Sequence, residues 1–166
     1  LSAIGRSQAV IEFTPDGIIL SANQNFLDVM RYDQAEIIGK HHSIFMPEHD
    51  RTTDEYRAFW RDLKAGKFRA GEFRRINKSG AGVWIQASYN PVFNRAGEVI
   101  SILKIAADIS AQKAKSSMDA GLITAINASQ AVIHFDLDSN ILDANDNFCQ
   151  TLGYSLDEIK GKKHAM

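Results

Sequence analysis

The sequence contains few residues that crosslink chains, bind metals through sulfur or span membranes. Of its 166 residues, one is cysteine and three are proline. The single cysteine, Cys149, excludes an intrachain disulfide and any metal site built on several thiolates, and it fits a reducing compartment. The apolar runs are short, because Lys104 and Asp108 interrupt the most hydrophobic segment, and none approaches the roughly 20 apolar residues of a membrane-spanning helix. We therefore expect a cytoplasmic location and no membrane segment in this stretch.

Neither sign of charge dominates, since 19 basic and 20 acidic residues leave a net charge of −1. A balanced chain has no overall field that would attract nucleic acid or an anionic membrane. One local basic cluster consists of Arg74, Arg75 and Lys78. We interpret it as a solvated strand-and-turn face, so no nucleic-acid partner is expected.

Catalytic motifs are missing as well. The segment Gly80–Gly82 has the glycines of a phosphate loop but sits in a predicted hairpin turn, without the helix that such a loop requires. No serine lies in a nucleophile-elbow pattern, so the sequence does not predict an enzyme. His41, His42 and His49 lie close together, but neighbouring histidines on a loop rarely supply metal geometry. We expect them to cap the backbone or to form loop hydrogen bonds, and no metal site is predicted.

An internal repeat is the strongest signal in the chain. The pentapeptide Ser7–Ile11 recurs as Ser129–Ile133, an offset of 129 − 7 = 122 residues, and 19 of the 38 positions from Ser7 to Ile44 are identical at that offset. Such self-similarity indicates one structural unit followed by the start of another. We predict a first domain over residues 1–110, a helical linker over 111–128 and the N-terminal part of a second domain over 129–166.

Within the first unit, hydrophobic periodicity predicts an α+β fold with a five-stranded antiparallel sheet and helices on one face. Asn23 and Asp33 are predicted helix caps, the latter with Glu36 in a capping box. The longest helix of the unit is predicted over 54–65. The other predicted elements are a lead-in helix over Leu1–Ser7, a hairpin formed by Ala9–Phe13 and Ile18–Leu20, and strands over Phe68–Asn77, Gly82–Phe93 and Val99–Asp108.

The segment Ile109–Asn127 has apolar residues separated by polar ones and no proline, which predicts a helix. An apolar side on such a connecting helix is suited to pairing with its counterpart in a homodimer. The alternative is that the helix packs on its own domain.

Several motifs resemble those of the PAS family. The segments that carry the resemblance are Asn23–Phe26, Glu36–Lys40, Asn77–Gly80, Trp84–Val92 and Asp108–Ser110. Tyr56–Trp60 and Gly66–Phe68 are further similar to the tandem PAS segments of bacterial methyl-accepting chemotaxis receptors. The resemblance implies a sensory input module that detects a small ligand or a redox or oxygen cue and relays it through the linker helix. It also implies the chemotaxis kinase and adaptor as partners, through an output domain outside this sequence. A ligand-free dimerisation or interaction module of a sensor histidine kinase or diguanylate cyclase is the alternative.

The cofactor motifs known in this family are not intact here. Thr53 stands where haem-binding members have their axial histidine, which leaves His49 in the preceding loop as a weak candidate ligand. Flavin-binding members have an Arg-His-Pro-Asp string or a reactive cysteine in this region, whereas the sequence reads Met46–His49 and has no cysteine near His41. Haem or flavin is therefore left open and no cofactor is assigned.

A curved sheet covered by helices leaves a pocket on its inner face, and strand and helix periodicity place ten residues there. Lys104 shares the side of Ile102 and Ala106, and a buried lysine needs a protein carboxylate or an anionic ligand as its partner. The alternative is a filled core without a ligand. The predicted pocket residues are Tyr56, Phe59, Trp60, Phe73, Ile85, Ala87, Tyr89, Ile102, Lys104 and Ala106.

Overall fold

The computed structural model describes residues 8–163, so the predicted lead-in helix over Leu1–Ser7 lies outside the described residues. The chain separates into two compact units, with the boundary between Lys113 and Ala114. Each unit is described by itself.

The first unit is a five-stranded antiparallel sheet with three helices inserted between its second and third strands. Its elements are β1 (Ala9–Phe13), β2 (Ile19–Ala22), α1 (Gln24–Met30), α2 (Gln34–Ile37), α3 (Asp54–Lys64), β3 (Arg69–Ile76), β4 (Gly82–Phe93) and β5 (Val99–Asp108). The strand order is β2-β1-β5-β4-β3. Two short 3-10 helices, His42–Phe45 and Glu48–Asp50, lie between α2 and α3. The predicted α+β fold is confirmed.

The hairpin between β1 and β2 depends on Gly17. Its amide donates to the carbonyl of Thr14 at 2.9 Å, and its φ of +84° is one that side chains other than glycine rarely adopt. A Cβ at this position would also lie 2.7 Å from Nε2 of His41. The turn therefore requires glycine both for its backbone and for the ring that packs over it.

The helix starts are fixed by side-chain caps at the predicted positions. The Asn23 side chain accepts from the amide of Phe26 at 3.0 Å and from the amide of Val10 at 2.8 Å. Asn23 therefore joins the start of α1 to β1. Asp33 and Glu36 form the predicted capping box of α2. Thr53 accepts from the amide of Tyr56 at 3.2 Å and caps α3, which gives this threonine a structural role of its own.

The core lies between the inner face of the sheet and the helices. Along β4, alternate residues from Val83 to Tyr89 are buried and their neighbours are more exposed, as period-two alternation predicts. The sequence predicts an apolar stripe of Tyr56, Phe59, Trp60 and Leu63 on α3; in the structure Phe59 is half-buried and the other three are buried. These elements bring the aromatic side chains of α3 against the strand that carries Tyr89.

The second unit repeats the opening of the first. Helix α4 (Ser110–Ser129) leads into β6 (Ile133–Phe135), β7 (Ile141–Ala144), α5 (Asp146–Leu152) and α6 (Leu156–Ile159). The last three start 122 residues after β2, α1 and α2, since 141 − 19, 146 − 24 and 156 − 34 all equal 122. Among the described residues of this unit, the buried hydrophobic side chains are Ile141 and Ile159. Within residues 8–163, no helix is long and apolar enough to cross a membrane.

Candidate functional site

A buried polar cluster surrounds the hydroxyl of Tyr89 inside the first unit. Tyr89 lies on the inner face of β4 with no exposed surface. Nη2 of Arg75, on β3, donates to this hydroxyl at 3.1 Å, and Nε2 of His42 lies 3.1 Å from it. Nζ of Lys104, on β5, lies 4.9 Å from the centre of the Tyr89 ring. Three basic side chains therefore surround one phenol group.

His42 connects Tyr89 to α3. Its Nδ1 lies 2.8 Å from the hydroxyl of Tyr56. A hydroxyl has one proton to donate and two lone pairs to accept with, so Tyr89 can accept from Arg75 while donating to Nε2 of His42. Nδ1–H of His42 then donates to Tyr56. This assignment satisfies every hydrogen bond of the network with a neutral imidazole.

The cluster contains three basic side chains and no acid. The buried polar side chains in the described part of the chain are His42, Arg75, Asn77, Ser101 and Lys104. Burial lowers the pKa of His42 well below its ordinary value of 6.5, and the charges of Arg75 and Lys104 lower it further. Burial also lowers the pKa of Lys104. Among the described residues of the unit, the buried charged side chains are therefore basic, and no buried carboxylate compensates them.

Burial and the neighbouring basic side chains shift the pKa values of Tyr56 and Tyr89 in opposite directions. Burial raises the pKa of Tyr56 to about 12, so its hydroxyl stays neutral. Burial also acts to raise the pKa of Tyr89, but the charges of Lys104 and Arg75 outweigh it and leave that pKa below the ordinary value. The site thus favours negative charge at the Tyr89 hydroxyl.

We expect His42 to make the first unit less stable as the pH falls below about 6.5. Below this pH, His42 binds a proton in the unfolded chain but stays neutral in the folded unit. The free energy of unfolding therefore decreases by up to about 1.4 kcal/mol per pH unit. Urea unfolding at pH 6.5 and at pH 5.0 measures the slope. A His42→Gln variant has no titrating group at this position and should show a shallower slope; equal slopes for the two proteins would contradict the buried neutral state.

A cleft of about 200 Å³ opens beside this cluster, between α3 and β3. Its lining comprises Met46, Asp50, Thr53, Glu55, Tyr56, Phe59, Phe73 and Arg75. Arg75 is 5% exposed. Its Nη1 donates to the carbonyl of Arg74 at 2.8 Å, and its Nε has no hydrogen-bond partner. The cleft therefore combines aromatic walls with a buried guanidinium that has an unused donor.

The ten predicted pocket residues fall into two groups. Tyr56, Phe59 and Phe73 line the cleft. The other seven, which are Trp60, Ile85, Ala87, Tyr89, Ile102, Lys104 and Ala106, are buried in the core. Contact of any of the ten with a ligand stays a prediction. Nζ of Lys104 lies over the ring of Tyr89, and within residues 8–163 no carboxylate forms an ion pair with it.

Sequence reasoning missed Arg75 and His42. The interpretation of Arg75 as part of a solvated face was wrong, because alternation along β3 places it on the side of Phe73 and pairs it with buried Val83. That alternation was available in the sequence, and Arg74, the preceding residue, is exposed. His42 does form hydrogen bonds, but its partners are buried hydroxyls. Its recurrence at the repeat offset was a signal that the position is constrained.

The remaining histidines have local roles. His41 accepts from the amide of Ser43 at 3.1 Å and caps the first 3-10 helix, as expected. His49, the weak haem-ligand candidate, has an exposed side chain 3.0 Å from Asp50. No group of three or more metal-binding side chains forms among residues 8–163. Sites for drug-sized ligands start at about 300 Å³, so a cleft of this volume does not fit a haem or a flavin.

Comparison with known proteins agrees with the fold. The sequence profile described as "PAS fold" matches residues 5–114, and the one described as "PAS domain" matches residues 122–165. The biofilm dispersion protein BdlA of Pseudomonas aeruginosa is 38% identical over 164 residues, which cover 99% of this chain and 39% of that protein. The chain thus spans about two fifths of the length of this relative.

Solved structures show the same fold at lower identity. A PAS domain from Colwellia psychrerythraea has a TM-score of 0.57 at 20% identity, over 66% of this chain and 92% of that domain. The PAS domain of the fruit-fly ELK potassium channel has a TM-score of 0.53 at 20% identity, over 62% of this chain and 87% of that domain. Since one profile spans most of the first unit and a relative is similar along nearly the whole sequence, the chain belongs to the PAS domain family.

Proposed function

We propose that the first unit is the sensory input of a chemoreceptor-like signalling protein. A ligand in the cleft displaces β3, and β3 passes the displacement to α4. The similarity to a biofilm dispersion protein supports a role in signal transduction. A stimulus can act in this way only if it binds one arrangement of β3 more tightly than the other.

The geometry of β3 is the observation that carries the proposal. On one face of this strand, Phe73 and Arg75 line the cleft. On the other face, Oε2 of Glu72 lies 2.5 Å from Nζ of Lys113 on α4. Adjacent side chains of a strand point to opposite faces. A ligand in the cleft that shifts β3 therefore also moves the Glu72–Lys113 ion pair.

The first turn of α4 is attached to the neighbouring strand as well. The amide of Trp84 donates to Oγ of Ser110 at 3.0 Å, and the amide of Ile109 donates to the carbonyl of Trp84 at 2.9 Å. Nζ of Lys113 lies 5.2 Å from the centre of the Trp84 ring. Trp84 thus contacts the first turn of the linker helix.

The downstream partners follow from the resemblance to chemotaxis receptors. The proposal is that an output domain outside this sequence couples α4 to the chemotaxis kinase and its adaptor. The cleft and the relay need no catalytic group, which fits a unit that signals without being an enzyme.

Reversing the charge of Lys113 should break its ion pair with Glu72 and so change the signalling output. In the full-length protein with kinase and adaptor, Lys113→Glu should shift kinase activity at least about twofold, because it repels Glu72. The pair is exposed, so the change in the free energy of unfolding should stay below about 1 kcal/mol. Phosphate transfer from ATP to the kinase measures the output.

The charge-swapped double variant Glu72→Lys/Lys113→Glu is the matched control, since it restores attraction at the same place. It should recover most of the wild-type output. If the single and double variants signal alike, the Glu72–Lys113 contact is not the relay.

A second candidate function is dimerisation through α4 without a ligand, as in some sensor kinases. Its support is the exposed apolar side of this helix, where Met118 is 78% exposed and Leu122 60% exposed. A second copy of α4 would cover these residues in a homodimer. Sedimentation of the chain as a monomer at micromolar concentration would contradict this candidate, and weakening of a dimer by Leu122→Lys would support it.

A further inference from the structure

The guanidinium of Arg75 is buried with an unsatisfied donor. Two of its nitrogens are used, by the Arg74 carbonyl and the Tyr89 hydroxyl, and Nε is unpartnered. Within the described residues, no carboxylate forms an ion pair with Arg75. A buried charge without a counter-charge is costly, so an anion that reached this group would gain more than one bound at the surface.

Arg75 is one of the residues that line the cleft, and the other walls provide apolar contact for the rest of a ligand. Met46, Phe59 and Phe73 form apolar walls around the arginine. The rings of Phe59 and Phe73 meet edge to face, with centres 6.2 Å apart. Rings held in this way can pack against a flat apolar group. An arginine with a free Nε can bind a carboxylate through two nitrogens of its planar fork.

Charge and volume restrict the ligand further. Asp50 and Glu55 also line the cleft, and they would repel a second negative charge on the ligand. A volume of about 200 Å³ is below the usual range for drug-sized ligands. The ligand should therefore carry one carboxylate and a small body.

We propose that the cleft binds a small monocarboxylate with a flat apolar body, its carboxylate on Arg75 and its body against the apolar wall that Phe59 and Phe73 form. The inference deepens the proposed function, on which it rests, by naming the chemical class of the stimulus. Lys104, whose Nζ lies over the Tyr89 ring, adds positive potential behind Arg75 without touching the ligand.

Titration of the 166-residue chain with benzoate tests the inference. Heat of binding and chemical shifts should report saturable binding at millimolar concentration or below. Benzamide, which has the same shape without the charge, should bind at least about tenfold more weakly, since it loses a charge-assisted hydrogen bond. Acetate, which lacks the flat body, and phthalate, which has a second carboxylate, should also bind more weakly than benzoate.

Variants at two adjacent positions of β3 distinguish specific binding at Arg75 from a nonspecific effect of the protein's net charge. Arg75→Met should weaken benzoate binding about 10- to 100-fold, the loss expected for one or two charge-assisted hydrogen bonds. Arg75→Lys should recover part of it, because lysine keeps the charge without the fork. Arg74→Met removes the same charge from the exposed face and should leave binding unchanged. Circular dichroism shows whether each variant is folded.

Two results would overturn the inference. One is equal affinity for benzoate and benzamide in the wild-type chain, a comparison that needs no variant to fold. The other is the absence of binding by any acid of the panel. Neither result affects the relay through Glu72 and Lys113, so failure of this inference and failure of the proposed function are distinguishable.

Discussion

Replacing Tyr89 with phenylalanine should lower the free energy of unfolding of the first unit by about 3–5 kcal/mol. The change removes one oxygen and leaves the shape of the core unaltered. That oxygen is the hydrogen-bond partner of Nη2 of Arg75 and Nε2 of His42, and the charge of Lys104 acts on it. A buried polar group that loses its partner costs about 1–3 kcal/mol, and more when it is charged. Urea unfolding followed by tryptophan fluorescence measures the effect on this unit, because both tryptophans of the chain, Trp60 and Trp84, lie in it.

Two further variants show whether the effect arises from the shared oxygen. Tyr56→Phe removes a hydroxyl with one hydrogen bond to His42 and should cost about 1–2 kcal/mol. Adding Lys104→Met to Tyr89→Phe also removes the buried ammonium group beside residue 89. It should therefore recover part of the lost free energy of unfolding. A Tyr89→Phe variant no less stable than Tyr56→Phe would contradict the cluster as described.

The second large effect has the opposite sign, since Lys104→Met should stabilise the first unit by about 1–3 kcal/mol. Lys104 is 1% exposed, and burial lowers its pKa because no carboxylate faces it. Methionine fills a similar volume and adapts to irregular space. Replacement of buried charged groups by well-packed apolar ones is often stabilising. The same urea unfolding experiment at pH 7 measures the gain.

Lys115→Met is the matched control, because Lys115 is exposed on α4 and should change stability by less than about 0.5 kcal/mol. Destabilisation by Lys104→Met would show that the lysine is held by a favourable interaction that the geometry does not reveal. Stabilisation combined with weaker benzoate binding would show that the positive interior serves binding at the expense of stability.

Local rules were sufficient for most of the fold. Asn23 and Asp33 cap helices where the sequence predicts, since capping depends on a few adjacent residues. Alternation along β4 and β5 correctly turned Tyr89 and Lys104 inward. The repeat predicted the second copy of the opening elements, and the structure shows them at the same offset.

The site was only partly predictable, because its main features arise between elements that are distant in sequence. Periodicity placed Lys104 inside but could not show that a tyrosine, and no acid, would face it. Arg75 was assigned to the surface because Arg74 and Lys78 made the segment look solvated, although alternation with Phe73 indicated the opposite. The position of the cleft depends on how α3 packs on β3, and sequence patterns do not specify how closely two elements fill the space between them.

A crystal structure of the chain grown with benzoate tests the central claim most directly, namely that the interior around Tyr89 presents an uncompensated positive charge to the cleft. We predict a carboxylate within hydrogen-bond distance of Nε of Arg75, with the ring packed against Phe59 and Phe73. A structure in which Nε of Arg75 is paired with a carboxylate of the protein, and the cleft is closed, would contradict it.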